Sequence, residues 1–589
     1  MRAKPLLIAT AGLALALPAI AQQTAPAQPA QTPPAQPTVN SVAPSPSAQT
    51  PIGSLPPAGG EGETGIADLS ELELPAPPPP VELPGHARRD PWVAGRLDSM
   101  RLGLGSNPWG AASGAFLSGL MRRMDTPLAS RWAHIAVRDA LLARARAPRN
   151  VNPVDWAAER SWLLLRMGEA DASRMLVSGV DVDHFTPKMF QVAAQSALAN
   201  SDPPGLCPLE HGLKEVEPRV LQLIEAMCAS LAGEPESAAE QIDSARRRGR
   251  VGGIDLVLAE KVVGAGADTG RSVTVEWEPV DRLNSWRYGL ATATGMAPPD
   301  RLLRSASPQV RAWQARAPLL SPQERLESAR IATGLGVFSS QSLTDLYSAI
   351  YDATDSDEVS QTDAWQLRLA FVGRDRDARL AAIRQLWSIG DGSIEREASR
   401  ALVARAATRI APDVEVQEDA PGLIASMLAA GYDREAARWI GAVRRMNDSF
   451  ADQSWAMLAL GAPDTRGLDL SFGRINAFFS RDGSIGKKRS ALLVAGLAGL
   501  GRIDGKAADR LNRRHGLSIG STSRWTRMID RSAALGQAGA VTILAGTGFQ
   551  ASSFEKLPSS HLYHAVAGLK RTGQDFTARM IAAEALART

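Results

Sequence analysis

The sequence predicts an all-α fold, a superhelical α-solenoid of antiparallel helical hairpins behind a Pro/Ala-rich leader. Three observations predict it. Apolar residues recur at helical spacing along most of the chain beyond about residue 90. A glycine-centred turn signature recurs between those stripes. Alanine is abundant and β-branched runs are rare, which favours helix over sheet. With 589 residues, 44% of them apolar, the chain can hold several domains or one long repetitive body.

Residues 1–21 read as a signal peptide. Arg2 and Lys4 make a basic start, and residues 6–17 form an apolar run too short to span a bilayer comfortably. Pro18 and then Ala19-Ile20-Ala21 present a small-x-small pattern, so cleavage is expected after Ala21. The alternative is an uncleaved anchor. No later window reaches about 18 uncharged apolar residues, so the mature chain is expected without a membrane span, periplasmic or secreted. Residues 22–89 are a Pro/Ala/Gln-rich linker that cannot bury enough apolar surface to offset its ordering entropy. Within it, the acidic-apolar residues 66–74 either dock on the body or a partner, or belong to a featureless tether.

Helical blocks follow in order. Phe116, Leu117, Leu120 and Met121 make a first stripe, continued by Leu128, Trp132, Ile135 and Leu141. Helix starts are then expected near Asp155, Thr186 and Glu217, 31 residues apart each time. The last two precede Pro187 and Pro218, and Asp155 suits a first turn. Cys228 falls in the stripe Val220, Ile224, Met227, Leu231. The turn signature Gly-x-[Asp/Pro]-x-x-Ala opens at Gly233, Gly373, Gly431 and Gly573, with a variant at Gly168 shortened by one residue. Glycine closes the first helix, Asp or Pro opens the second, and the small alanine lets the two approach closely.

The middle is less regular. Residues 272–277 alternate like a short strand, with Val273, Val275 and Trp277 on one face. Ser321-Pro322-Gln323-Glu324 is a capping box. A seam over residues 299–321 divides an N-terminal helical-repeat arm, 90–310, from a C-terminal one, 311–589. Glycine-turned hairpins with a period in the low thirties resemble tetratricopeptide-like α-solenoids, best over residues 155–249 and in pieces over 361–589. The resemblance implies an interaction surface for protein or peptide partners.

Cys207 and Cys228 are an even pair in a chain expected to be exported. They are either bridged, closing a loop of about 20 residues for roughly 3 kcal/mol, or two buried thiols. Gly516-Leu517-Ser518-Ile519-Gly520 matches a nucleophile-elbow pattern, but its flanks read as helix and loop rather than strand and helix. Residues 483–487 fail as a phosphate loop at their first glycine and after Lys487. His561 and His564 sit three apart on one helix face, without a third ligand. Trp156, Trp162, Trp365, Trp387, Trp439, Trp455 and Trp525 fall among core-like spacings, and any of them on an open face suits a glycan ring or an apolar peptide. The net charge of +3 and the interleaving of Arg with acidic residues exclude a concentrated basic face and nucleic-acid binding at this level of reading. No catalytic, metal or cofactor-binding residue is assigned, and no cofactor is implied. The expectation is a periplasmic scaffold for an envelope protein or peptide, or for peptidoglycan. A cell-wall glycan hydrolase or lyase with an unrecognised active site is the alternative.

Overall fold

Helix is the dominant regular structure in this computed structural model, which describes residues 84–249, 251–266 and 274–589. The expected signal peptide, most of the expected linker and Val273 lie outside the described residues. After 3-10 turns at Gly85–Ala87 and Pro91–Val93 comes β1 (Leu97–Asp98), which pairs in parallel with β2 (Ala143–Arg144). Between them lie α1 (Gly114–Arg122) and α2 (Arg131–Leu142). There follow α3 (Pro153–Met167), α4 (Ala170–Val177), α5 (Pro187–Ala199), α6 (Glu210–Val216), α7 (Leu221–Leu231), α8 (Pro235–Arg248) and α9 (Ile254–Gly266). The middle holds α10 (Ser285–Ala293), α11 (Asp300–Ser305), α12 (Pro308–Gln314), α13 (Pro322–Leu335), α14 (Ser340–Ala353), α15 (Asp363–Val372), α16 (Arg376–Trp387) and α17 (Ser393–Ala407). Next are α18 (Ala420–Ala429), α19 (Asp433–Ala437), α20 (Ile440–Val443), α21 (Asp448–Gly461), α22 (Phe472–Arg481) and α23 (Lys488–Gly499). The last are α24 (Gly505–His515), α25 (Arg524–Ala534), α26 (Ala538–Gly548), α27 (Ser559–Arg571) and α28 (Asp575–Ala587).

Local chemistry explains the starts. Asn152 caps α3 ahead of Pro153, and Thr186 caps α5 by accepting from Met189 N ahead of Pro187. Both halves of the Ser321–Glu324 capping box are made at α13. The start expected near Glu217 is displaced: Glu217 ends α6, and α7 begins at Leu221. A residue before proline is pushed out of the helical region, so Pro218 closes one helix before the next can open.

Four of the five signature glycines turn left-handed between consecutive helices: Gly168 at φ 89°, Gly233 at 84°, Gly431 at 82° and Gly573 at 90°. Gly373 does not; its φ is −50°. There a Cβ would lie 2.7 Å from Leu369 O, so glycine is needed for room rather than for handedness. The strand expected over 272–277 is absent from its described part, residues 274–277. Arg301 instead holds that segment as coil by donating to Val280 O at 2.7 Å and to Trp277 O. The arm boundary expected at 310 falls inside α12, which packs on α13 and also on α3.

Contacts also run between distant parts of the sequence. The last helix, α28, packs on α2, α18, α21, α23 and α27, and its residues from Ala578 to Leu586 are all buried. The carboxylate of Glu584 accepts from Ser130 Oγ at 2.5 Å, Arg131 N at 2.8 Å and Trp132 N at 3.2 Å. A carboxylate there satisfies free N–H groups and opposes the positive end of α2. Arg131, also buried, donates through Nε to Thr333 O at 2.8 Å and through Nη1 to Ala429 O at 2.6 Å. One guanidinium thereby closes the C-terminal ends of α13 and α18. Arg131→Ala is expected to lose about 3–5 kcal/mol, from two orphaned carbonyls and the space left behind. The exposed change Arg513→Ala should cost less than about 0.5 kcal/mol. Thermal unfolding of the two variants, followed by circular dichroism, checks the contrast.

Candidate functional site

A cleft of about 380 Å³ opens between α3, α5, α12 and the turn after α1. Most of its exposed lining is apolar, with polar side chains among it, as is usual for ligand sites. Trp162 stands on the open side of α3 and is 37% exposed, whereas Trp156 and Leu163 on the same helix are buried. Trp313 is half-buried on α12, its ring edge-on to Tyr288 at 5.6 Å. Leu165 and Val310 complete the apolar lining.

The polar rim is built by mutual support. Thr126 Oγ1 donates to Arg166 O at 2.7 Å and accepts from Gln309 Nε2 at 2.9 Å. Arg166 donates to Met124 O at 2.9 Å and to Met121 O, which closes the end of α1. Burial lowers the Arg166 pKa, opposed by the nearby Asp125 and Glu159 carboxylates. Gln195 accepts from Ser285 Oγ, which leaves its amide nitrogen free. Gln309 is 5% exposed, and its Oε1 accepts no hydrogen bond among the described residues. The cleft therefore offers two indoles, two primary amides, the Asp125 carboxylate and the Arg166 guanidinium. Such a set holds a ligand by stacking and amide hydrogen bonds, with two opposite charges at the edge.

A second, larger cleft of about 440 Å³ lies beside α21 and α22, with Trp455, Arg474 and Arg481 in its wall. Its charges answer each other: Asp452 accepts from both arginines at 2.6 Å. Those bonds outweigh the burial that would raise the Asp452 pKa and hold it below the usual carboxylate range.

The other residues singled out in the sequence are dispersed. Cys207 and Cys228 are joined by a disulfide that ties the turn before α6 to α7. Gly516 is the left-handed cap ending α24 and Ser518 lies in the following loop, so the Gly-x-Ser-x-Gly run joins helix to helix. Lys487 donates to Asp482 O at 2.6 Å within a loop. His561 and His564 point to different partners, Gly548 O at 3.1 Å and Asp530 Oδ1 at 2.9 Å. Trp156, Trp439 and Trp455 are core residues. Trp387 donates to Ser426 Oγ and Trp525 to Leu544 O, while Trp365 stacks on Tyr351. Only Trp162 joins the cleft. Its partners Trp313, Gln195 and Gln309 were missed because they lie on separate helices with no shared sequence signal.

Thr126→Val removes an acceptor from the buried Gln309 amide and a donor from Arg166 O. The expected loss is about 1–3 kcal/mol, read as a lower thermal midpoint. Comparison of the chain with protein-family models, curated proteins and solved structures found no match.

Proposed function

We propose that this chain is an exported helical scaffold, built of tetratricopeptide-like hairpins whose last helix is packed inside rather than left at a free end of a stack, that holds a protein or peptide partner in the cell envelope. The observation that carries this reading is the α3–α5–α12 cleft. An exposed indole and a half-buried one line it, and among the described residues Gln195 keeps a free amide nitrogen and Gln309 a free amide oxygen. Together they supply one donor and one acceptor for a peptide group, and the indoles take an apolar side chain beside it. The recurring glycine corners, with buried alanines at 172, 238, 436 and 578, support the repeat reading. Export rests on the basic start, apolar run and Ala-Ile-Ala site of residues 1–21.

The test is a peptide panel titrated against the purified chain with tryptophan emission as readout. Apolar peptides are expected to bind, and Trp162→Ala to weaken them at least about tenfold, as for an aromatic at the centre of an interface. Release of muropeptides from purified cell walls, with no peptide bound, would overturn the scaffold reading in favour of a glycan-cleaving enzyme.

A further inference from the structure

Between Lys487 and Arg531 the sequence holds eleven lysines and arginines against three aspartates, in a chain whose formal charge is only +3. The structure gathers most of them on two helices. On α24, Ala508 and Leu511 are buried while Lys506, Arg510, Arg513 and Arg514 are exposed. Their spacing of four, three and one residues keeps them on one face. On α25, Thr526, Ile529 and Ala533 are buried while Arg524, Arg527 and Arg531 are exposed, again along one face. The helix α24 rests on α23 and α25 rests on α27, and α23 and α27 pack together. The two basic stripes are thus carried by helices that rest on one packed pair. The sequence-level exclusion of a concentrated basic face is corrected here, because net charge averages over the chain what two amphipathic helices concentrate.

These cations are unanswered. None of the seven exposed side chains makes an ion pair or a hydrogen bond among the described residues; Arg510 lies over the Phe472 ring at 5.1 Å. Of the nearby carboxylates, Asp504 caps α24 by accepting from Ala507 N, Asp530 faces His564, and Asp509 alone is free on α24. Some surface arginines elsewhere are paired, as Arg376 is with Asp413 and Glu415 and Arg384 with Asp419, while others, such as Arg434 and Arg438, are not among the described residues. Apolar side chains accompany the face. Leu535, 61% exposed, stands one turn after Arg531 on the same stripe. Ile485, 97% exposed, precedes Lys487 in the loop between α22 and α23, both of which touch α24.

We propose that the α24–α25 face docks the protein on an anionic lipid bilayer, with the arginines and lysines on headgroup phosphates and Leu535 and Ile485 entering the interface. Unpaired basic stripes give charge complementarity to such a surface, and exposed aliphatic tips beside them distinguish a bilayer from a soluble polyanion. The association is peripheral, since among the described residues no helix is long and apolar enough to cross a membrane. It does not depend on the Trp162 cleft.

The experiment is vesicle cosedimentation of the purified chain, with phosphatidylcholine alone or with about 30% phosphatidylglycerol, at low and at about 0.5 M salt. Binding is expected only to the anionic vesicles and only at low salt. Charge reversal at Arg510, Arg513 and Arg527 should weaken it at least about a hundredfold, and Leu535→Ser should weaken it while leaving the salt dependence unchanged. Trp162→Ala should bind vesicles as the parent does. Circular dichroism melts confirm that the variants fold, and Lys506→Glu with Arg524→Glu provides an independent reversal if the triple variant does not. Equal binding to neutral vesicles, indifference to charge reversal, or indifference to Leu535→Ser together with equally tight binding to heparin or duplex DNA would overturn the bilayer assignment.

Discussion

The interaction on which the rest of this structure depends is a guanidinium closing the C-terminal carbonyls of a neighbouring helix. A chain broken into 28 helices within the described residues has many helix ends, and each leaves four carbonyls without an intrahelical partner. Buried ends cannot use water. Arg131 serves α13 and α18 together. Arg160, fully buried, donates to Leu141 O at 2.7 Å and to Ala94 O and Ala143 O at 3.0 Å, which ties the N-terminal segment to the end of α2. Arg502 closes the end of α21 through Ala459 O and Ala462 O, and Arg579 reaches Gly461 O on the same helix. Burial lowers the pKa of Arg160 to about 9 and that of Arg502 to about 10, so both remain charged at neutral pH. Five donors in a planar fork explain why arginine fills these positions: lysine offers a point charge and cannot span two or three diverging carbonyls.

A carboxylate and an aromatic pair bring an early helix of the described chain onto its last one. The N-terminus of α2 is held by Glu584 of α28, while Trp132 sits edge-on to Phe576 at 5.5 Å and donates to Leu428 O. A Cβ at Gly431 would lie 3.1 Å from both the Phe576 and Trp132 rings, and one at Gly336 would lie 3.0 Å from Arg131 O. Glycine corners thus do two jobs: they reverse the chain, and they leave room for α2 to settle against the reversal. The last helix is consequently an interior element. In a stack with nearest-neighbour contacts alone, a final helix would keep a polar outer face. Nine successive buried residues in α28 leave it none.

What the sequence made legible was local. Helical stripes, the Ser321 capping box and four left-handed glycines are set by interactions within a few residues, and pattern reasoning reaches that far. Pro218 shows the limit even at short range, since its effect on Glu217 ended a helix where a start was expected. The association of α2 with α28 was not legible, because Glu584 and Ser130 are 454 residues apart and neither carries a mark of the other. For the cleft, Trp162 could be singled out as an aromatic, but its exposure follows from what α5 and α12 fail to cover. The basic face did have a readable signal: Arg524, Arg527 and Arg531 recur at helical spacing with only Asp530 among them, and that residue is turned toward His564.

Arginine therefore has two uses here, told apart by surroundings rather than by identity. Arg131, Arg160 and Arg579 on helices, and Arg502 in the turn after α23, meet neighbours that end against them, so carbonyls supply the counter-dipole and burial is tolerated. The arginines of α24 and α25 stand over turns of their own helices with Ala508, Leu511, Ile529 and Ala533 beneath them, and no helix end reaches their outer side. Between Lys487 and Arg531 the eleven cations less three aspartates give +8, more than the +3 of the whole chain, so the cationic excess is concentrated in one stretch. That concentration gives the molecule an electrostatic polarity. A negatively charged surface attracts the α24–α25 face above the rest of the chain, so long-range steering sets orientation before any contact forms.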